Sequence, residues 1–312
     1  MTNPNTEFDT PWKDILETYF PDFIEFFFPN IYTQIDWSKG FEFLDKELQK
    51  VVKDAELGKR LADKLVKVYL INGEEIWVLI HIEVQSQTET DFAERIFVYN
   101  YRIFDRYHRP VASLVVLGDE DPNWRPNEFT YELFGSKMGL TFPIIKLLDY
   151  KQKWSSLEEN INPFSTVVMA HLKALETRSD RLTRKKWKLI LTKRLYDVGM
   201  KKEDVINLFR FIDWMMTLPK DLELQFNDEL DKFQEDKKMP YVTSLERIGI
   251  EKGMSQGMSN LIELLLNLKF GEESLTLIPQ IKEIDNQEKL KEIFTKIELS
   301  QSLDEVINFL NN

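Results

Sequence analysis

The sequence predicts an α/β protein, a mixed β-sheet flanked by helices and followed by an all-helical C-terminal half. Three observations carry this. Residues 60–85 hold two β-rich runs, RLADKLVKVYLI and EEIWVLIHIEVQ, around Asn72-Gly73, a strong short-range hairpin signal. The second run leads through a helix-like stretch at 90–107 into VASLVVL at 111–117. A crossover of that length through a helix joins parallel strands and is right-handed. Beyond Tyr150 strand signals stop, and 163–176, 181–199, 202–217 and 221–237 read as four helices punctuated by Pro163, Gly199, Pro219 and Pro240. The expected organisation is a sheet-bearing domain at 1–155, a helical region with a basic helix at 156–240, and a small helical module at 241–312.

Taken in order, residues 11–28 (PWKDILETYFPDFIEFFF) read as amphipathic helix interrupted at Pro21, packing on the sheet. Residues 41–50 (FEFLDKELQK) lead towards the hairpin. Parity governs the hairpin itself, because facing residues of an antiparallel pair have a constant index sum and a one-residue slip reverses every face. A two-residue loop at Asn72-Gly73 sets Asp63 opposite Ile82. A three-residue loop that includes Glu74 sets Asp63 opposite Glu83, and this register is preferred because it puts Asp63, His81, Glu83 and Gln85 on one face. Even positions of the second run (Ile76, Val78, Ile80, Ile82, Val84) are apolar throughout. Odd positions change from Trp77 and Leu79 to His81, Glu83 and Gln85, as expected of a buried strand that delivers polar groups to a cleft.

In the helix at 90–107, Phe92, Ile96, Tyr99 and Ile103 form the core stripe, while Arg95 and Tyr99 start close enough to the strand end to approach a phosphate. Asp119-Glu120-Asp121, followed by Pro122-Asn123, reads as an exposed loop. Two further β-like runs, 129–134 and 140–148, are expected to extend the sheet. In the last module, GMSQGMSN carries small residues at helical spacing and Leu261 to Leu268 is apolar on most sides, which points to self-association through the C-terminal helices.

Composition narrows the function. With no cysteine, disulfides, thiolate nucleophiles and zinc-thiolate sites are excluded. No apolar run approaches the roughly 20 residues of a membrane helix, and MTNPNTEFDT lacks a basic segment followed by an apolar one, so a cytoplasmic protein without membrane partners is expected. There is no P-loop or dinucleotide fingerprint, hence no organic cofactor. The net charge of −12 opposes general nucleic-acid binding, yet 178–194 (RSDRLTRKKWKLILTKR) holds eight Lys/Arg against one Asp. Arg181, Arg184, Lys185, Lys186 and Lys188 are the candidate phosphate contacts; the alternative is a helix face balanced by the acidic stretch 221–236.

Asp63, a β-turn, and then Glu83-Val84-Gln85 after a hydrophobic strand resemble the core of the PD-(D/E)XK nuclease superfamily. The longer context, FLDKELQ, GKRLADKLVKV, WVLIHIEVQSQ and FAERIFVYNYRIFDRY, is similar to its recombination-promoting nuclease family, also described as transposase-like; the likeness spans about the first half of the chain. It implies a restriction-endonuclease-like core and a Mg²⁺- or Mn²⁺-dependent DNA endonuclease. Asp63, Glu83 and the backbone carbonyl of Val84 would hold the metal, with Asp63, Glu83 and Gln85 catalytic. Glu47 best matches the additional acidic residue before the hairpin, with Glu42 and Asp45 as rivals. One departure stands out: the motif lysine is Gln85, which removes a cation beside the attacking water. Lys67 and His81 are auxiliary candidates on the face of Asp63. The alternatives are a catalytically inactive nuclease fold that binds nucleic acid and a protein-interaction module.

Overall fold

A computed structural model describes residues 9–54, 64–83, 91–242, 244–284 and 286–310. Helices α1 (Asp9–Thr18), α2 (Phe20–Phe27) and α3 (Pro29–Tyr32) precede the short strand β1 (Glu42–Phe43) and helix α4 (Asp45–Asp54). Strands β2 (Lys64–Tyr69) and β3 (Glu75–Glu83) form the hairpin, helix α5 (Phe92–Tyr107) crosses over, and β4 (Val111–Leu117) follows. Next come β5 (Glu128–Leu133), β6 (Ser136–Thr141) and β7 (Ile144–Lys146). The mixed sheet has the order β1-β2-β3-β4-β7, antiparallel from β1 to β3 and parallel from β3 to β7.

The α5 stripe behaves as its spacing predicts: Phe92, Ile96, Tyr99 and Ile103 are all buried. Both faces of the sheet are covered. Val66, Val68, Val78, Ile80, Leu114 and Val116 face the N-terminal and C-terminal helices. On the other face, Leu65, Trp77 and Leu79 pack with Leu44, which precedes α4, Leu48 of α4 and Tyr99 and Ile103 of α5, while Val115 and Leu117 pack with Phe92 and Ile96. Strand β3 is therefore interior on both sides, and polar residues are expelled to its ends.

The hairpin register departs from expectation. Tyr69 pairs with Glu75 and Lys64 with Ile80, an index sum two less than the preferred one. The loop is Ile71-Asn72-Gly73, closed by Leu70 N–H donating to Glu74 O at 2.8 Å and Gly73 N–H donating to Leu70 O at 2.8 Å. Gly73 takes φ 89°. A three-residue loop places its left-handed residue third, so the glycine selects Ile71 to Gly73 rather than Asn72 to Glu74. Because the shift is even, the odd positions still share one face.

Two β-like runs also resolve differently. Strands β5 and β6 pair only with each other, through Leu133↔Ser136 at a two-residue turn, and form a separate ribbon. Phe134 and Gly135 both have positive φ (51° and 81°), the geometry that a mirror-image hairpin turn requires. Only β7 joins the main sheet.

Helices α6 (Trp154–Glu159), α7 (Pro163–Glu176), α8 (Arg181–Asp197), α9 (Lys202–Met215) and α10 (Lys220–Lys237) follow. Val167, Val168, Leu191, Leu208, Phe211 and Phe226 belong to the same core as Val66 and Val78 of the sheet. The boundary expected at 155/156 thus falls inside one continuous core, which α7 to α10 share with α1, α2 and the apolar face of the sheet. Helices α11 (Ser244–Phe270), α12 (Ile278–Lys282), α13 (Gln287–Leu299) and α14 (Leu303–Leu310) gather around their own cluster of Ile262, Leu266, Leu290, Ile293 and Val306. Trp214 of α9 enters that cluster, and Lys291 donates to Thr217 Oγ1 at 3.1 Å.

A β-carbon at Gly73 meets only Lys39 Nζ at 3.7 Å, an ordinary contact, so substitution there acts through backbone strain alone. Gly73→Ala is expected to destabilise the protein by about 1–2 kcal/mol, read as a lower urea midpoint with an unchanged slope.

Candidate functional site

Glu83 ends β3 in register with Leu117 of β4, and Leu117 is in register with Lys146 of β7. These residues form one row across three parallel strands, at their carboxyl ends, where open α/β sheets keep ligand sites. Adjacent strands lie about 4.8 Å apart, so the Glu83 and Lys146 backbones are about 10 Å apart. His81 stands one step back in the same register, opposite Val115. Asp63, Val84 and Gln85 lie outside the described residues.

The row is backed by a buried ion pair. Lys146 Nζ, fully buried, donates to Asp119 Oδ1 at 2.5 Å and to the Trp124 carbonyl at 3.3 Å. Asp119 Oδ1 also accepts from Asp121 N–H at 2.9 Å, while its Oδ2 is buried without a hydrogen-bond partner among the described residues. The expectation of an exposed acidic loop is therefore corrected for Asp119, which is 3% exposed. A lone lysine in the apolar run of 140–148 was the available signal, since a charge in a buried strand requires a counter-charge.

On the opposite face of β4, the Gly118 carbonyl accepts from His171 Nε2 at 2.9 Å, and His171 Nδ1 accepts from the Trp12 indole at 3.4 Å. An indole only donates, which fixes the neutral tautomer with its proton on Nε2. Burial pushes the His171 pKa down to about 4. This histidine tethers α7 to the end of β4.

At the hairpin's open end Lys64 is fully buried; it pairs with Glu17 of α1 and with Asp45 of α4 at 2.7 Å, and sits 5.4 Å from the Phe43 ring centre. It is the first described residue of β2, directly after Asp63, and sequence reasoning passed over it. Among the acidic residues before the hairpin, Asp45 contacts this lysine; Glu47 accepts from the Tyr107 hydroxyl through its backbone carbonyl at 3.4 Å.

Several expected auxiliary residues lie elsewhere. Lys67 pairs with Glu42 of β1 and stands opposite Trp77, six residues from Glu83 and roughly 20 Å along the strand. The Glu42 carboxylate raises its pKa. Tyr99 is 1% exposed in the core beneath α5, so its ring is packing rather than phosphate contact. Arg95, in the first turn of α5, lies over the Phe92 ring at 5.2 Å.

The basic helix is the largest correction. Lys188 is fully buried between Asp213 at 2.5 Å and Glu223 at 2.8 Å. Buried Arg184 donates to the Ala174 carbonyl at 2.7 Å and to Thr177 Oγ1 at 3.3 Å. Lys185 binds Glu229 at 2.7 Å and Gln225 at 3.1 Å. The acidic neighbour is helix α10, which supplies the carboxylates for Lys185 and Lys188, so part of the +7 stretch is paired inside the protein. Lys186 is solvent-exposed and Arg181 half-buried.

Two predictions follow from these contacts. Lys146→Met strands a buried Asp119 and is expected to cost about 3–5 kcal/mol in urea unfolding, with Lys146→Met/Asp119→Leu recovering most of it. For His171 the folded pKa lies below the unfolded value of 6.5, so the unfolded chain binds the extra proton. Stability contributed by the neutral ring is full above pH 6.5 and falls by up to about 3 kcal/mol as pH drops towards 4. His171→Gln should flatten the pH dependence in that window.

Compared with family models, curated proteins and solved structures, the chain matches none of them.

Proposed function

We propose that the chain is a metal-dependent DNA endonuclease with a restriction-endonuclease-like core, acting in recombination or mobile DNA. The observation that supports it best is the position of Glu83. It ends a strand packed on both faces, at the carboxyl edge of a parallel set, and in sequence it opens Glu83-Val84-Gln85, with Asp63 the residue just before β2. The donor set is carboxylate and carbonyl oxygen, which suits a hard cation such as Mg²⁺ or Mn²⁺. Asp63, Glu83 and the Val84 carbonyl would hold it, and when bound it supplies stabilisation of negative charge on the phosphate.

The chain's own residues do the remainder. In hydrolysis water forms the new P–O bond, the ester P–O bond breaks, and the leaving oxygen takes up a proton. Gln85 orients the water through its amide and contributes no charge. Of the cations near this edge, Lys146 is held by Asp119 and Lys64 by Glu17 and Asp45, so each is already committed to a carboxylate of the fold.

A second reading, a catalytically inactive nuclease fold that binds nucleic acid, is favoured by one feature: Gln85 stands where the motif carries lysine. Supercoiled plasmid incubated with wild type and Glu83→Ala in Mg²⁺, Mn²⁺, Ca²⁺ and EDTA separates the two. Nicking by the wild type alone, abolished by EDTA, is the expected result, with Glu83→Ala reduced at least 100-fold. Equal nicking by both proteins overturns the site assignment, and salt-sensitive binding in Ca²⁺ without cleavage transfers the case to the second reading.

A further inference from the structure

The β5–β6 ribbon is amphipathic. Phe129, Tyr131 and Leu133 of β5 and their neighbours Met138 and Leu140 of β6 share one face, while Glu128, Thr130, Glu132, Lys137 and Thr141 share the other. An apolar sheet face in water normally packs on something. Among the described residues its cover lies towards the base: Phe97 of α5 lies 5.1 Å from the Phe129 ring and 6.5 Å from the Tyr131 ring, and Leu140 packs beside Phe92 and Phe142. The outer half is open, with Leu133 62% and Phe134 99% exposed. Tyr101 and Phe104 of α5, on the helical stripe of Phe97, are about half exposed and extend the same patch.

We infer that this face is the interface of a homodimer, in which the apolar face of β5–β6 and the outer stripe of α5 pack against the same surface of a second copy. Area is the first argument. At roughly 200 Å² per large side chain, Tyr101, Phe104, Tyr131, Leu133, Phe134 and Met138 together expose roughly 700 Å². That exceeds the largest patch of an ordinary monomer, about 300–600 Å², and approaches the roughly 800 Å² each partner contributes to a stable complex. Charge is the second. The chain carries −12, yet the apolar face of the ribbon, Phe129, Tyr131, Leu133, Met138 and Leu140, carries no charged side chain, since Glu128, Glu132 and Lys137 lie on the other face. An uncharged apolar strip offers nothing to neutralise phosphates, but it suits a twofold contact in which one patch meets its own copy without like-charge repulsion. An isolated two-stranded ribbon is also marginal in water, and a partner supplies the missing cover.

This differs from self-association through the C-terminal helices, where the exposed large apolar residues among those described are Leu264, Leu268 and Leu299. Sedimentation velocity of the full chain, from 1 to 100 µM, compares wild type with Leu133→Lys/Phe134→Glu and with Leu264→Glu/Leu268→Glu. Both variants change exposed side chains, and unchanged circular dichroism and melting temperature verify their folding. The expected result is a wild-type species of twice 37.1 kDa, with the dimer dissociation constant raised at least roughly 30-fold in the ribbon variant alone. A monomeric wild type across the range overturns the proposal. So does a dimer broken by the α11 variant and spared by the ribbon variant, which moves the interface to the C-terminal helices. A monomer whose affinity for a DNA duplex falls in the ribbon variant assigns the patch to nucleic acid instead.

Discussion

A strand buried on both faces can present polar groups only at its ends, and β3 is such a strand. Val78 and Ile80 face one helical layer, and Trp77 and Leu79 face α4 and α5. With no lateral surface free, polar side chains of β3 are confined to its two ends, and its carboxyl end lies on the edge shared with β4 and β7. The crossover helix follows from the same constraint. It returns along the sheet in the right-handed sense, laying Phe92 and Ile96 over Val115 and Leu117, one register position from Glu83.

Three fully buried lysines hold the elements around that sheet. Lys64 joins β2 to α1 and α4, Lys146 joins β7 to the segment after β4, and Lys188 joins α8 to α9 and α10. Taking an ammonium out of water costs several kcal/mol, and only a close carboxylate with further hydrogen bonds offsets it. Each lysine has such partners, which fixes the relative placement of segments far apart in sequence. The same arrangement turns several cations of the +7 stretch inward: Arg184, Lys185 and Lys188 face the carbonyls around α7 and the carboxylates of α9 and α10.

Cover is distributed unevenly. The sheet's helical face is closed by α1, α2 and α7 to α10 in one core, and the last four helices close a second core of their own. Against that background the β5–β6 ribbon is an exception, with an alternating apolar face that nothing among the described residues covers beyond its base.

Local periodicity was enough to read much of this from the residues. The spacing of Phe92, Ile96, Tyr99 and Ile103 marked the buried stripe of α5, the Pro and Gly punctuation marked α7 to α10, and alternation identified the two faces of β3. Those features depend on backbone geometry and on side chains a few positions apart. The hairpin register was less accessible, because the preference for Gly73 as third loop residue competed with an attractive juxtaposition of carboxylates. Likewise, nothing in FTYEL or MGLTF says whether a strand joins the main sheet or pairs only with its neighbour.

By itself, then, the sequence determined the α/β class, the helices α5 and α7 to α10, the parity of β2 and β3, and the end of β3 at the polar residues that include Glu83. Tertiary structure alone decided which charges are interior. The burial of Lys64, Lys146, Asp119 and Lys188 is set by carboxylates or cations contributed by distant segments, and a side chain's desolvation depends on everything packed around it rather than on its neighbours in the chain.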